Sequence, residues 1–269
     1  MKLFFGDSFD GMAALAPSSV DLIIADLPYG ITHNKWDCTF PLEKLWAEYW
    51  RVLRPNGAVV LHAAAPFSAI LLCSALAEFK HEYVWVKENG TGFLNATIAP
   101  LKRHEQVLVF GRKAIRFVPQ TREGFKPYRA LQGTQGENYS ASAGCVSVSS
   151  GSRHPISVLE IKRDVEKLHP TQKPVELAEY LIRSYSLYGE TVLDNCMGSG
   201  TTGVAAKRTG RDFIGIENSE KYFAIAERRI GEAAPVVRFC AEDKAERELR
   251  EKQLGFSLND FINMKANGS

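Results

Sequence analysis

The sequence Asp-Leu-Pro-Tyr-Gly at residues 26–30 brings together a carboxylate, a rigid proline and an aromatic ring. It follows the apolar run Val-Asp-Leu-Ile-Ile-Ala, which is typical of a strand buried on both faces of a parallel sheet. In open α/β sheets ligands bind beyond the carboxyl ends of the strands, so Asp26 is expected to point into that crevice. Pro28 restricts the local backbone and thereby directs the carbonyl of Leu27. An ordinary strand-ending turn is the alternative, because Asp, Pro and Gly are common turn residues.

A second chemical pattern lies near the other end of the chain. Gly198, Gly200 and Gly203 form a Gly-x-Gly-x-x-Gly sequence between a predicted strand and a predicted helix, and Glu217 ends the next strand. This context predicts a site for an adenosine-containing cofactor, with the acidic side chain on the ribose hydroxyls. A glycine turn that only packs a helix on a strand is the alternative. Asp194 precedes the glycines and favours a cationic amino group over a diphosphate, so S-adenosylmethionine is preferred to a nicotinamide dinucleotide.

The elements around these two patterns alternate between strand and helix. This alternation predicts an α/β fold with a doubly wound, mostly parallel sheet. The predicted strands are 2–5, 20–25, 58–61, 82–86, 105–110, 191–194 and 212–216. The predicted helices are 8–15, 41–53, 66–79, 174–187 and 219–230, and a further helix follows the glycines and ends at 208. The periodicity fails in an insertion at 111–168, so the main domain is predicted from 1–110 and 169–238. The segment 239–269 is predicted to be a charged C-terminal tail.

Composition limits the classes of protein that the chain can belong to. The five cysteines include no Cys-x-x-Cys pair and the six histidines show no metal-ligand spacing, which argues against disulfide-rich proteins and zinc sites. No apolar stretch approaches the roughly 20 residues that span a bilayer. The amino terminus resembles a first strand more than a signal peptide. We therefore expect a cytoplasmic protein without a metal ion.

Basic residues are concentrated in one part of a chain whose net charge is only +2. Between residues 101 and 130, eight Lys and Arg stand against two Glu, and aromatic residues are interleaved with them. This pattern predicts a nucleic-acid surface, although a solvated basic face is the alternative. The predicted DNA-binding residues are Lys35, Arg112, Lys113, Arg116, Arg122, Lys126 and Arg129.

Three motifs together resemble one known family. Asp-Leu-Pro-Tyr-Gly at 26–30, His-Pro-Thr-Gln-Lys-Pro at 169–174 and Leu-Asp-Asn-Cys-Met-Gly-Ser-Gly-Thr-Thr at 193–202 are similar to the motifs of β-class DNA amino-methyltransferases, in that family's order. The resemblance implies S-adenosylmethionine as cofactor, DNA as partner and residues 111–168 as the target-recognition region. It also suggests a homodimer and a cognate restriction endonuclease as further partners.

The resemblance also implies roles for individual residues. The implied catalytic residues are Asp26, Leu27, Pro28 and Tyr29. The implied cofactor-binding residues are Asp7, Ser8, His169, Thr171, Lys173, Asp194, Cys196, Gly198, Ser199, Gly200, Thr201, Glu217 and Asn218. The sequence departs from the family pattern at Leu27, where Pro is usual, and at Asn195-Cys196, where Pro-Phe is common. Leu27 contributes a backbone carbonyl and tolerates the change, whereas Cys196 is expected to alter packing around the methionine part.

The implied reaction is methylation of an exocyclic amino group on a base that is flipped out of the duplex. Asp26 and the carbonyl of Leu27 would accept the two N–H groups, and Tyr29 would stack on the base. No cysteine follows a proline, which disfavours methylation of cytosine C5. Asp at the first catalytic position favours adenine N6 over cytosine N4. A nicotinamide-dependent oxidoreductase and a catalytically silent DNA-binding protein are the alternatives from other classes.

Overall fold

The computed structural model describes residues 1–29, 40–131, 146–165, 168 and 172–236. The strands among them are β1 (Lys2–Phe5), β2 (Val20–Ala25), β3 (Leu53–Ala63), β4 (Phe79–Thr91), β5 (Lys102–Phe110), β6 (Tyr128–Leu131), β7 (Val146–Ser149), β8 (Val158–Glu160), β9 (Thr191–Asp194) and β10 (Asp212–Glu217). The helices are α1 (Ser8–Ala13), α2 (Leu42–Val52), α3 (Phe67–Ser74), α4 (Val175–Tyr185), α5 (Thr201–Arg208) and α6 (Glu220–Glu232).

The main sheet has the strand order β1-β10-β9-β2-β3-β5-β4-β8. The first five of these strands are parallel, and β5 runs antiparallel to both of its neighbours. The predicted doubly wound, mostly parallel sheet is therefore confirmed. The strand order reverses between β9 and β2. From β2 the chain adds β3 on one side of this pair, and from β9 it adds β10 on the other side. Such a reversal opens a crevice at the carboxyl ends of the two central strands.

Strand β2 is buried along its whole length, as its apolar sequence predicts. Ile23 and Ala25 pack in one core with α1, α2 and α3, whereas Leu22 and Ile24 pack in the other core with α4, α5 and α6. Because successive side chains of a strand point to opposite faces, each helix layer receives alternate residues. Burial of each such aliphatic side chain stabilises the fold by about 1.5–3 kcal/mol. The site at the end of β2 is thus built on a rigid base.

Two of the differences from the predicted element boundaries have a clear physical reason. The helix predicted at 66–79 ends at Ser74, and a 3₁₀ turn at Leu76–Glu78 leads into a long β4. The break predicted at 54–57 lies inside β3. In both cases a neighbouring strand supplies hydrogen bonds that local sequence does not reveal, since Leu53 pairs with Val20 and β4 pairs with β5 along most of its length.

The chain divides into two compact units. The smaller unit spans residues 119–157, which is narrower than the predicted insertion at 111–168. Within it, β6 and β7 form an antiparallel pair, and the backbones of Arg122 and Arg153 exchange two hydrogen bonds of 2.9 Å. The larger unit contains the main sheet and all six helices given above. The predicted tail at 239–269 lies outside the described residues.

Candidate active site

Asp26 stands immediately after β2 and both of its carboxylate oxygens have a partner. The hydroxyl of Tyr29 donates to Oδ1 at 2.8 Å, and the ammonium group of Lys173 donates to Oδ2 at 2.8 Å. The ring of Tyr29 stacks on Phe67, with 4.9 Å between the ring centroids. Leu27 is buried in the core, so only its backbone is available to a ligand. Asp26 and Tyr29 are therefore held by partners from distant parts of the chain, which a simple strand-ending turn does not require.

Lys173 also contacts a second carboxylate. Its Nζ lies 3.2 Å from Oε2 of Glu105, and Nζ of Lys87 lies 3.1 Å from the other oxygen of Glu105. Burial alone would lower the pKa of Lys173, but Asp26 and Glu105 more than offset it and raise that pKa. Burial opposes ionisation of Glu105, yet the two lysines lower its pKa below the usual value. The four groups form a paired network with no net charge.

The carboxylate of Asp194 has a different kind of environment. Oδ1 accepts a hydrogen bond of 3.0 Å from the backbone N–H of Cys196, and Oδ2 accepts one of 2.6 Å from the hydroxyl of Thr202. Burial raises the pKa of Asp194 to about 7, because these neutral donors offset it only in part and Asp26 and Glu217 add repulsion. Among the described residues, the hydrogen-bond donors to Asp194 are neutral, so a bound cation would stabilise the ionised form of this carboxyl.

Glu217 ends β10 and holds the glycine loop through its two oxygens. Oε2 accepts a 2.9 Å hydrogen bond from the N–H of Gly198, and Oε1 accepts a 2.8 Å hydrogen bond from the N–H of Ser219. Pairing of β1 with β10 brings Gly6 beside it, where the Gly6 N–H donates to the Glu217 carbonyl at 3.0 Å. Asp7 follows and caps α1 by accepting from the N–H groups of Phe9 and Asp10. The ends of β1, β9, β10 and β2 therefore lie along one edge of the sheet.

Asn195 is a residue that the sequence pattern marked only as a departure. Its Oδ1 accepts a 2.6 Å hydrogen bond from the hydroxyl of Tyr49, and its Nδ2 donates to Oγ of Ser8 at 2.7 Å. It thus ties the β9 loop to α2 and α1. Cys196 packs against the core beside it, and burial together with the carboxylates of Asp194 and Glu217 raises the pKa of its thiol. No local signal in the sequence pointed to Asn195.

The glycine loop is held by hydrogen bonds and close packing from α6. Arg229 donates to the carbonyl and hydroxyl of Ser199, at 2.6 and 3.1 Å, and lies 3.4 Å from the hydroxyl of Thr201. Gly200 has φ +79°, and a Cβ there would lie 2.8 Å from Cβ of Ala226. Close packing on α6 is thus one reason for that glycine, beside the ligand approach that the motif predicts. Roles of Ser199 and Thr201 in cofactor binding stay predictions.

The remaining predicted cofactor residues are placed as follows. Gln172 accepts from the N–H of Leu168 at 3.1 Å and donates to Asp164 at 3.2 Å, which anchors the segment that carries Lys173. Asn218 is exposed after β10. His169 and Thr171 lie outside the described residues, as does Gly30 of the catalytic pentapeptide. Their predicted roles stay predictions.

Three of the predicted DNA-binding residues lie at the other edge of the sheet from Asp26. Because β5 is antiparallel, Arg112 and Lys113 follow its end at the edge where the parallel strands begin. Arg116 forms an ion pair with the buried Glu190 just before β9, and its N–H donates to the carbonyl of Asn56 at 3.0 Å. Arg116 therefore has a structural partner that its count among basic residues did not reveal, and its predicted contact with DNA stays a prediction.

The other predicted DNA-binding residues lie in the smaller unit, except Lys35, which is outside the described residues. Lys126 and Arg129 are exposed. The guanidinium groups of Arg122 and Arg153 lie 5.2 and 5.3 Å from the ring centroid of Phe125. This unit therefore presents a surface of cations and half-exposed aromatic rings.

Searches of the described residues for two other kinds of site were negative. Within them, no group of three or more His, Cys, Asp or Glu side chains could hold a metal ion. No helix in that same part of the chain is long and apolar enough to cross a membrane.

A family model described as DNA methylase, of the N6 and N4 methyltransferases, matches residues 20–228, which is most of the chain. The chain belongs to this DNA methylase family. The type II methyltransferase M.HinfI of Haemophilus influenzae is 28% identical and is matched over 86% of this chain and 68% of its own length. The type II methyltransferase M.HpaI of Haemophilus parainfluenzae is 27% identical over 85% of this chain and 74% of its own.

Solved structures of DNA methylases share the fold. The complex of M1.HpyAVI with S-adenosylmethionine superposes with a TM-score of 0.60 at 26% identity, covering 85% of this chain and 98% of that one. The cytosine-N4-specific PvuII DNA methyltransferase has a TM-score of 0.60 at 18% identity, covering 84% of this chain and 85% of that one, and shows the fold alone. The predicted β-class amino-methyltransferase is therefore confirmed, and a nicotinamide-dependent oxidoreductase is excluded.

Membership of the family makes S-adenosylmethionine the cofactor and DNA the substrate of this methylase. The residues at the sheet edge fit that cofactor. It carries a cationic amino group and a cationic sulfonium, and the carboxylates of Asp26, Asp194 and Glu217 are close enough to one another for the first and third to raise the pKa of the second. Two positive charges would relieve this repulsion, whereas a diphosphate would increase it.

Proposed function

We propose that the chain methylates the N6 amino group of adenine in DNA, at a specific sequence, with the target base flipped out of the duplex. The observation that carries this proposal is the carboxylate of Asp26 at the strand-order reversal, oriented by Tyr29 and Lys173. An acid at this position resembles the adenine-modifying members of the family. Cytosine N4 is the other exocyclic amino group that the same acceptors could bind.

In this proposal, the carboxylate of Asp26 and the carbonyl of Leu27 are the catalytic groups. An exocyclic amino nitrogen is a weak nucleophile because its lone pair is delocalised into the ring. Two positioned acceptors for its N–H groups favour tetrahedral geometry and stabilise the positive charge that develops on the nitrogen. The nitrogen lone pair forms the new N–C bond as the methyl–sulfur bond breaks with its electrons going to sulfur. The surplus proton then passes from the nitrogen to Asp26 and on to solvent.

The sheet edge beside Asp26 would hold the methyl donor. When bound, S-adenosylmethionine supplies a methyl group that its sulfonium already activates. We assign the amino end of the donor to Asp194 and the ribose hydroxyls to Glu217, whose oxygens each keep a lone pair beyond the bond to a backbone N–H. Asp7, next to the paired ends of β1 and β10, would contact the adenine. This arrangement orients the donor in line with the amino nitrogen.

The reaction product decides between the two bases. The purified protein is incubated with S-adenosylmethionine and unmethylated genomic DNA, and the digested nucleosides are quantified by mass spectrometry. We expect N6-methyldeoxyadenosine above a control without enzyme. N4-methyldeoxycytidine in its place would show that the chain methylates cytosine N4. The absence of both products would contradict the proposed function.

The smaller unit would supply cations that bind DNA phosphates. Replacing Arg122 and Lys126 with Gln is expected to weaken DNA binding and to reduce the slope of log affinity against log salt by about 0.9 for each phosphate that is no longer neutralised. Fluorescence anisotropy over a salt series measures this slope. Lys80→Gln is the control, because Lys80 is an exposed lysine of β4 in the larger unit and is not among the predicted DNA-binding residues. An equal change of slope in that control would contradict the assignment of the interface to the smaller unit.

A further inference from the structure

A buried network of charged side chains lies directly behind Asp26. Glu105 is its centre, and each of its two oxygens contacts a different lysine. The side chains of Lys87 and Lys173 are only 6% and 12% exposed. Four separate segments of the chain meet here, namely the end of β2, strands β4 and β5, and the segment before α4. In the sequence, Glu105 stands out only as an acid within a basic stretch.

The network raises the question of how a substrate amino group can bind Asp26, whose carboxylate is already paired. Both oxygens of this carboxylate are bound within the protein, Oδ1 by Tyr29 and Oδ2 by Lys173. Each oxygen keeps a further lone pair, but an ammonium bound to Oδ2 draws charge from the carboxylate, so Asp26 accepts an amino N–H of a base more strongly once Lys173 moves away from it. Lys173 is almost buried, so an unpaired ammonium there would carry a large desolvation penalty. It can release Asp26 at low cost only if another anion remains bound to it.

We propose that Glu105 is the positioning residue that retains Lys173 when the target amino group takes its place on Asp26. This inference rests on the proposed function, since it assumes that Asp26 accepts the amino N–H. Lys87 holds Glu105 from the other side through Oε1, so that the carboxylate stays turned toward Lys173. Loss of Glu105 leaves Lys173 with Asp26 as its only anion in this network, and the lysine then competes with the substrate.

The protonation states of the network agree with this role. The raised pKa of Lys173 keeps its ammonium charged at neutral pH, so the proton released by the methylated nitrogen goes to Asp26 and not to the lysine. His62 faces the same groups from β3, and burial followed by the charge of Lys173 lowers its pKa to about 4, which leaves it neutral. The groups around Lys173 are therefore Asp26, Glu105, Lys87, neutral His62 and the Tyr29 hydroxyl that shares Asp26.

Single-turnover methylation by the full-length chain, with saturating S-adenosylmethionine and DNA, tests the proposal. We expect Glu105→Gln to lower the rate constant by about 10- to 100-fold, the range for removing one charge-assisted hydrogen bond. The dissociation constant for S-adenosylmethionine should stay within about twofold. Glu82→Gln is the matched control, because Glu82 is a half-buried strand carboxylate that accepts from Gln106 at 2.8 Å outside the network. Glu105→Asp should recover part of the rate.

The pH profile separates positioning from a merely structural role. Glu105→Gln removes one of the two carboxylates that raise the pKa of Lys173, so the lysine loses its proton at lower pH and stops competing for Asp26. The defect of the variant should therefore shrink as pH rises from 7 to about 9.5, whereas the wild-type rate changes little over that range.

Three outcomes would overturn the proposal: a wild-type rate in Glu105→Gln, a defect that does not vary with pH, or an equal defect in Glu82→Gln. If Glu105→Gln does not fold, Glu105→Asp and Lys87→Gln take its place, and wild-type rates in both would overturn the proposal. Methylation by the wild-type chain is measured in the same series. Its absence would contradict the proposed function, whereas the ratio of variant to wild type concerns only Glu105.

Discussion

The proposed active site has a cofactor half and an acceptor half, and the carboxylates of the two halves have different kinds of partner. Asp194 and Glu217, in the cofactor half, accept hydrogen bonds from backbone N–H groups and a hydroxyl, all neutral donors. Asp26 and Glu105, in the acceptor half, are paired with the ammonium groups of two lysines. Among the described residues, the carboxylates of the cofactor half thus have neutral partners, whereas those of the acceptor half are compensated by lysines.

This difference matches the charges of the two ligands that the family brings together. S-adenosylmethionine is cationic at its amino group and its sulfonium, so uncompensated carboxylates attract it. A nucleobase is neutral until methyl transfer begins, and a network without net charge can accept it while both lysines still have an anion beside them. When positive charge develops on the amino nitrogen, Asp26 is the nearest anion. In the proposed function, the same residue type would therefore serve binding in one half and catalysis in the other, because of its partners.

The largest expected effect is in the acceptor half. Asp26→Ala should lower the methyl-transfer rate by about 10³-fold or more, the loss typical of removing a positioned catalytic group. Its affinity for S-adenosylmethionine should remain close to that of the wild type, because the cofactor half is unchanged. Single-turnover rates and equilibrium binding measure the two quantities, with the exposed Asp212→Ala as control. If the affinity for S-adenosylmethionine fell as far as the rate, Asp26 would also be needed for cofactor binding, and the separation into two halves would be wrong.

An intermediate effect is expected in the cofactor half. Asp194→Asn should weaken binding of S-adenosylmethionine by about 10- to 100-fold, because the amide cannot form a charge-assisted hydrogen bond with the amino group. Since the pKa of Asp194 is raised to about 7, the wild-type affinity should increase as pH rises through 7, where the carboxylate ionises. Isothermal titration calorimetry across this range should also show proton release below pH 7. Asp194→Asn should abolish both pH effects, and their survival would place the titrating group elsewhere.

The smallest effect is expected when one neutral hydrogen-bond donor to Asp194 is removed. Thr202→Val removes the 2.6 Å hydrogen bond to Oδ2 of Asp194, a bond that lowers the pKa of this carboxyl. The midpoint of the affinity change should therefore move to higher pH, with a loss of affinity of about 3- to 10-fold near pH 7. Titrations at pH 7 and pH 9 measure the shift. If the midpoint moved downward, hydrogen bonding by Thr202 would not be what controls ionisation of Asp194.

Much of the cofactor half could be predicted from the sequence because its contacts are local. Asp194 is bonded to residues two and eight positions later, and Glu217 to a residue two positions later. A strand, a glycine turn and a helix bring such residues together wherever the unit occurs. The predicted strands at 2–5, 20–25 and 191–194 also match the structure residue for residue. An apolar run between polar residues fixes such boundaries.

The acceptor half could not be predicted in the same way. Lys173 reaches Asp26 across 147 positions in the chain, and nothing in their separate motifs predicts that pair. The antiparallel direction of β5 places Glu105 behind Asp26 and sends the basic residues after Phe110 to the opposite edge. Counting charges along the chain did not reveal that Arg116 forms an ion pair with the buried Glu190.

The sequence by itself thus determined the fold and the methyl donor, and it marked Asp26 as the carboxylate that we propose to be catalytic. These follow from short patterns of burial and chemistry that local geometry preserves. Only the tertiary structure decided which charges are compensated, because pairing depends on strand direction and on contacts between distant segments. The neutral state of the acceptor half is a property of that arrangement, as is the role of Glu105 that follows from it.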